Sequence, residues 1–180
     1  WVFDSPDCYG LLTMLRRGKP LSEQDLEFID ESLLILAEPL KRALEYEDIF
    51  SQARRDSLTG LPNRFVFEER IHALIEQARR HGRPLTLAAL DLDHFKAVND
   101  SMGHFTGDKV LQQVATTVQA RIRLSDLLVR MGGDEFLLIL PDTDMRAACH
   151  LAERLCRAVA CLNVVTGAGQ LGVSIGAANA

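Results

Sequence analysis

No stretch of this sequence approaches the length and apolarity of a membrane-spanning helix, and no signal peptide opens it, so a cytoplasmic protein without a membrane anchor in these residues is expected. Positive charge is in short supply. Twenty Lys and Arg face 25 Asp and Glu, for a net charge of −5, and no basic stripe runs along the chain, which argues against a nucleic-acid polymer as partner. The four cysteines, Cys8, Cys149, Cys156 and Cys161, lack metal-ligand spacing and read as reduced thiols. Cys149 and Cys156 fall on a predicted helix and are expected there as small apolar residues. Internal repeats and low-complexity segments are absent. What is present is ordinary globular composition: 180 residues, 47% hydrophobic and 25% charged, enough for a sizeable core. The chain opens on Trp1 rather than Met, as a piece of a longer protein would.

The most informative residues are Arg130-Met131-Gly132-Gly133-Asp134-Glu135-Phe136. Leu127-Leu128-Val129 precedes them and Phe136 to Leu140 follows, all apolar, so the pattern predicts a β-hairpin turning at Gly-Gly-Asp. Adjacent side chains on a strand point to opposite faces, so one of Asp134 and Glu135 should face a site. Gly132 and Gly133 remove side-chain bulk and would let a ligand phosphate approach the backbone. Alone, the tetrapeptide reads first as an ordinary Gly-Gly hairpin with an acidic tip.

A second segment changes that balance. Leu85 to Leu90 is a nearly continuous apolar run after Pro84, which predicts a strand buried on both faces. It ends in Asp91-Leu92-Asp93-His94-Phe95-Lys96, with Asp91 and Asp93 in phase at the carboxyl end. Carboxylates at the end of a buried strand are costly without a cation or hydrogen-bond partner. The strand's carboxylate pair, Asp91 and Asp93, together with Asp134 from the neighbouring hairpin could hold Mg²⁺, which takes one or two carboxylates, waters and substrate phosphates. A strand-end cap is the plainer alternative for Asp91 alone.

The rest alternates between helix and strand. Residues 8 to 16 read as a strand. Ser22 is the expected N-cap of a long helix to about Arg54, with Glu23 and Asp25 in its first turn. Leu26, Ile29, Leu33, Leu36 and Leu40 make a heptad-like stripe that Phe50 continues weakly, and Pro39 predicts a kink or break. Further helices are expected over Asn63 to Arg80, Gly107 to Arg123 and Asp144 to Leu162, with a last strand over 171 to 177.

Six blocks, in order, carry a family resemblance. They are Asp56-Ser57-Leu58-Thr59-Gly60-Leu61-Pro62-Asn63-Arg64; Asp91 to Lys96; Asn99-Asp100; Gly103-His104 with Gly107-Asp108; Arg130 to Phe136; and Val173-Ser174-Ile175-Gly176. From Asp56 to Ala180 the chain resembles a GGDEF domain, the family of diguanylate cyclases. The resemblance implies an α/β (α+β) fold: a palm-like nucleotidyl-cyclase sheet, antiparallel beside the strand of Asp91, with helices on one side. Residues 1–54 resemble, more loosely, the end of a GAF-type sensor domain and a signalling helix; residues 55–180 would be the cyclase domain. An amphipathic helix packed on the domain is the alternative for the stripe.

The same resemblance implies the chemistry. Two GTP would be joined to cyclic di-GMP with loss of pyrophosphate. Asp91, the carbonyl of Leu92 and Asp134 would hold Mg²⁺ (or Mn²⁺), and Asp134 or Glu135 would take the proton of the attacking 3′-hydroxyl. Lys96 would stabilise the transferring phosphoryl group, and backbone N–H groups of Phe95 and Lys96 would cradle the outer phosphates. Asn99 and Asp108 would read guanine, whose adjacent N1–H and amino group suit a carboxylate, with His104 as a further contact and His94 as packing. Arg123-Leu124-Ser125-Asp126, five residues ahead of Gly132, would form an inhibitory site for the product. Activity would need a homodimer, since each domain holds one GTP. The family continues past the last strand into a helix with a Lys and an Arg that contact phosphate, so this chain, ending at Ala180, is expected to bind GTP poorly on its own. The alternatives are a non-catalytic module that binds GTP or cyclic di-GMP, or a dimerisation module.

Overall fold

The computed structural model describes residues 2–5, 8–11, 18 and 20–180. The chain divides into two compact units, Trp1–Gln52 and Ala53–Ala180. The first holds an antiparallel pair, β1 (Val2–Ser5) and β2 (Cys8–Leu11), and a 30-residue helix, α1 (Glu23–Gln52). The expected strand over 8 to 16 is thus seen in its first four residues; 12–16 lie outside the described residues. Ser22 caps α1 as expected: its hydroxyl accepts the Asp25 N–H at 3.2 Å, and the Asp25 carboxylate accepts the Ser22 N–H at 2.9 Å. Pro39 lies within the helix without ending it. Ile29 is buried, whereas Leu36, Leu40 and Phe50 of the same stripe are exposed.

The second unit is built on a four-stranded antiparallel sheet. Its strands are β3 (Leu85–Asp93), β4 (Leu127–Gly132), β5 (Glu135–Pro141) and β8 (Gly172–Asn179), in the order β4-β5-β3-β8. The helices are α2 (Arg64–His81), α3 (Phe95–Met102), α4 (His104–Gln119) and α5 (Met145–Ala160). A two-residue pair, β6 (Val165–Thr166) and β7 (Gly169–Gln170), completes it.

Period-two alternation divides the sheet's side chains between two faces. Ala88, Leu90 and Leu92 of β3, Phe136, Leu138 and Leu140 of β5, and Val173 of β8 face the main core. There they meet Val110, Leu111, Val114 and Val118 of α4 and Leu155 and Val159 of α5. On the other face Leu85, Leu87, Leu127 and Ile139 pack against Ile71, Leu74 and Ile75 of α2. Helices therefore lie on both sides, not one as expected. The expectation that β3 is buried on both faces also fails. Its second face is covered at the Leu85 end and open at Ala89 and Asp91, which are exposed. The apolar run misled because Ala89 counts as hydrophobic while leaving room above the sheet.

Local chemistry explains the boundaries. Asn63 caps α2 by accepting the N–H groups of Phe65 and Val66, and Asp144 caps α5 through Ala147 N–H at 2.8 Å. Gly82 ends α2 in a left-handed conformation, φ 60°. Helix α3 was not expected from the sequence, and α4 begins at His104 rather than Gly107. The loop Asn163 to Gly169 contains part of the β6–β7 hairpin. Cys156 is half-buried, its Sγ donating to Val173 O at 3.3 Å, and burial together with the charge of Asp93 pushes its thiol pKa up. Cys149, expected as an apolar packing residue, is exposed.

Candidate active site

The open end of the sheet is where the acidic residues collect. Asp91 on β3 stands directly opposite Glu135 on β5 and Ser174 on β8. Directly opposed residues share a face, so Asp91, Glu135 and Ser174 project together beyond the edge of α2. They line a cavity of about 550 Å³ whose wall includes Ala89 and Gly176, also opposed across the β3–β8 pair. These small residues lower the floor between the carboxylates and the helix-covered end.

Of the adjacent pair Asp134-Glu135, Glu135 is thus on the Asp91 face, while Asp134 sits half-buried in the turn. The turn needs its glycines. Gly132 has φ 145° and Gly133 φ 55°, both in the region that L side chains avoid. A bulge between Arg130 and Gly132 further re-aims the strand at its tip.

Sequence reasoning missed what holds this tip. The Arg130 guanidinium donates through Nε and Nη2 to Gly133 O, at 3.1 and 2.7 Å. Its Nη1 donates to both oxygens of Asp56, at 2.8 and 3.0 Å. Asp56 also accepts the Thr59 N–H and hydroxyl, at 2.8 and 2.6 Å. The Arg130 N–H donates to Pro62 O at 3.0 Å. The loop from Asp56 to Asn63 is thereby fastened to the hairpin through one arginine. The signal available in the sequence was that Arg130 and Asp56 belong to two of the matched blocks while neither has a task in the implied chemistry.

Burial raises the Asp56 pKa, but the hydrogen bonds from Thr59 and Arg130 and the charge of Arg130 outweigh it and hold the carboxyl below its ordinary value. The carboxylate is therefore the form the folded state prefers. This stability is present above the unfolded carboxyl pKa and is lost as pH falls through the lower folded value. Arg130→Ala is expected to cost about 1–3 kcal/mol, because it leaves a partly buried carboxylate without its cationic partner. The check is urea unfolding of both proteins at pH 7 and again near pH 3, where the difference should shrink. An equal difference at both pH values would exclude Asp56 as the cause.

At the carboxyl end of β3, His94 takes φ 63° and precedes α3 without a side-chain cap. The first N–H groups of α3, from Phe95 and Lys96, thus begin a helix whose N-terminal residue supplies no capping oxygen, and such groups favour anions. Phe95 is buried and Lys96 exposed. His94, expected as packing, is exposed, with its ring near Gly169 of β7.

Asn99 on α3 and Asp108 on α4 come from helices joined by Gly103, φ 81°. Asn99 is half-buried against Gly107, and Asp108 and His104 are exposed. Arg123 and Asp126 lie elsewhere, in the turn between α4 and β4. Asp126 accepts the Arg123 N–H at 2.8 Å, and both residues line a cavity of about 300 Å³ with Arg121 and Arg154. Among the described residues no three His, Cys, Asp or Glu side chains close around a point that could hold a metal ion, and no helix is long and apolar enough to cross a membrane.

The second unit is thus an antiparallel sheet covered by helices, with acidic residues at one open end. The sequence matches the family described as "Diguanylate cyclase, GGDEF domain" over residues 53–180. It is 36% identical to diguanylate cyclase DgcS of Shewanella oneidensis over 174 residues, which are 96% of this chain and 55% of that protein. It is 46% identical to diguanylate cyclase DgcP of Pseudomonas aeruginosa over 114 residues, 63% of this chain and 17% of that one. Among solved structures, the coiled coil and GGDEF domain of DgcB from Caulobacter crescentus, in complex with c-di-GMP, superposes with TM-score 0.75 at 28% identity, covering 84% of this chain and 83% of that one. Diguanylate cyclase SiaD of Pseudomonas aeruginosa, in complex with its activator SiaC, does so with TM-score 0.66 at 36% identity, covering 88% and 66%. The chain belongs to the GGDEF diguanylate cyclase family, and spans at most about half the length of the two curated relatives it is compared with.

Proposed function

We propose that this chain is the catalytic part of a diguanylate cyclase, condensing two GTP into cyclic di-GMP and two pyrophosphates. The observation that carries the reading is the open sheet end, where Asp91 faces Glu135 beside the Gly132-Gly133 turn and the uncapped start of α3 follows. In each of two steps a 3′-hydroxyl oxygen bonds to the α-phosphorus of the other GTP. The bond from that phosphorus to the bridging oxygen breaks, pyrophosphate leaves, and the hydroxyl proton passes to a carboxylate.

A divalent cation, Mg²⁺ or Mn²⁺, suits the donors present. Asp91, Asp134 and the Leu92 carbonyl would hold it, and two carboxylates leave positions for water and phosphate, as magnesium prefers. When bound, the cation polarises the α-phosphate and offsets the developing charge. The N–H groups of Phe95 and Lys96 receive phosphate oxygens at the start of α3, and the Lys96 ammonium stabilises the transferring phosphoryl group. Gly132 and Gly133 let the triphosphate approach the turn. Asp134 takes the 3′-hydroxyl proton, with Glu135 as the alternative base.

Asn99 and Asp108 read the base, with His104 beside it. Asp108→Ser removes the acceptor of two adjacent guanine donors. Charge-assisted bonds contribute about 1.5–3 kcal/mol, so the preference for GTP over ATP should fall about tenfold to a hundredfold. Initial rates with each nucleotide in competition test this; equal competition in the unmodified protein would exclude the base reading.

Two domains must face each other for both bonds to form, so activity needs a homodimer. The exposed Leu36, Leu40 and Phe50 of α1 support a parallel helix pair as its means. Cyclic di-GMP at Arg123 and Asp126 would inhibit. The deciding experiment is incubation with GTP and Mg²⁺ followed by chromatography of the products. Cyclic di-GMP is expected; binding of GTP without product would favour the non-catalytic reading.

A further inference from the structure

Gly107 lies inside α4, where glycine costs helix stability relative to alanine and where its backbone is ordinary helix with negative φ. Its presence therefore calls for another reason than backbone conformation. A Cβ built on Gly107 would stand 1.9 Å from Asn99 Oδ1 and 3.0 Å from Asn99 Cγ. It would also meet the ring of Phe95 at 3.3 Å. Phe95 and Gly107 are both buried, so the base of this seat has no freedom to give way. Only the side chain of Asn99 can move. An oxygen 1.9 Å from where a Cβ would stand fills the space that any side chain at 107 would need. The Asn99 amide is thus held with Oδ1 turned into Gly107. Its other end, Nδ2, makes no hydrogen bond among the described residues.

We propose that Gly107 is a positioning residue for base recognition: the missing side chain forms the seat that fixes the Asn99 amide, leaving its Nδ2 donor for an acceptor on the bound base. The proposal rests on the reading of Asn99 as a base contact. It adds that the α3–α4 pair sets the amide's direction, so that a donor from Asn99 and an acceptor from Asp108 are presented together. Any side chain at 107 expels the amide from its seat while leaving the phosphate-binding start of α3 in place.

The test is nucleotide binding by four proteins: unmodified, Gly107→Ala, Asn99→Ala and the double variant. Each is titrated with fluorescent GTP and ATP analogues in Mg²⁺. Gly107→Ala is expected to weaken GTP about five- to tenfold, the loss of about one hydrogen bond, and to leave ATP unchanged. Asn99→Ala should do the same, and the double variant should bind GTP no worse than Asn99→Ala, because the amide that the added methyl would displace is already gone. Thermal unfolding adds a second readout. With Asn99 truncated the amide no longer blocks the seat and the contact with the Phe95 ring at 3.3 Å remains, so Gly107→Ala should lower the melting temperature less in that background than in the unmodified protein. Equal weakening of GTP and ATP by Gly107→Ala, additive losses in the double variant, or an unaffected Gly107→Ala beside a weakened Asn99→Ala would each overturn the seat while sparing the base contact. An unaffected Asn99→Ala would overturn both.

Discussion

Asp91→Asn is expected to abolish cyclic di-GMP formation while the fold persists, and Asp134→Asn to do the same. The substitution changes charge and not shape. Asp91 is exposed at the sheet's open end and its carboxylate makes no hydrogen bond or ion pair among the described residues, so nothing structural depends on its charge. Its unfolding midpoint should stay within about 0.5 kcal/mol of the unmodified protein. The catalytic cost is of another size. Removing a single preorganised electrostatic group from a phosphoryl-transfer site lowers kcat by on the order of 10²–10³-fold, and removing a cation ligand should do at least that. The measurement is turnover of GTP with Mg²⁺ beside thermal unfolding of each variant. Near-normal turnover in either would sink the assignment of that carboxylate. Glu135→Gln belongs in the same series. Glu135 shares a face with Asp91, so a loss as large as that of Asp134→Asn would shift the base role toward it.

How much of this could be read beforehand depends on the range of the signal. The hairpin was legible because its signal is local: apolar runs on either side of two glycines that the turn holds at positive φ. The caps at Ser22, Asn63 and Asp144 were legible at or next to the predicted helix starts for the same reason. The eight-residue α3 was not. It spans only about two turns and follows directly on a strand, and its consecutive polar residues Asn99, Asp100 and Ser101 suit a turn. The clamp of Asp56 on Arg130 joins residues 74 apart, and no period or spacing encodes a contact at that range. The open end of β3 was hidden differently. Alanine counts as apolar in the run from Leu85 to Leu90, yet Ala89 buries nothing above itself, and that gap is what leaves Asp91 accessible. The seat of Asn99 on Gly107 depends on helix crossing and is visible only in three dimensions.

Arg123→Ala is expected to keep GTP turnover and lose inhibition by added cyclic di-GMP. The reasons are positional and electrostatic. Arg123 precedes β4, whereas the Gly132-Gly133 turn lies at its far end. Six residues of strand at about 3.3 Å each separate the two regions by about 20 Å, too far for one ligand group to touch both. At the Arg123 end, three arginines, Arg121, Arg123 and Arg154, line one cavity with a single acidic residue, Asp126. Such a surface suits an anion that also carries hydrogen-bond donors for Asp126, as a guanine nucleotide does. The Arg123 guanidinium has no partner among the described residues, so its removal should leave the unfolding transition in place. Asp126 is a poorer choice for the test. Its carboxylate accepts the Arg123 N–H, and truncating it would disturb the turn as well as the ligand. Loss of a charge-assisted contact of about 1.5–3 kcal/mol should raise the half-inhibitory product concentration about tenfold to a hundredfold. Initial rates against cyclic di-GMP concentration for both proteins decide it. If the unmodified protein shows no product inhibition, or the variant retains it unchanged, the Arg123–Asp126 pair is a turn with a capping aspartate and the cavity beside it has another ligand or none.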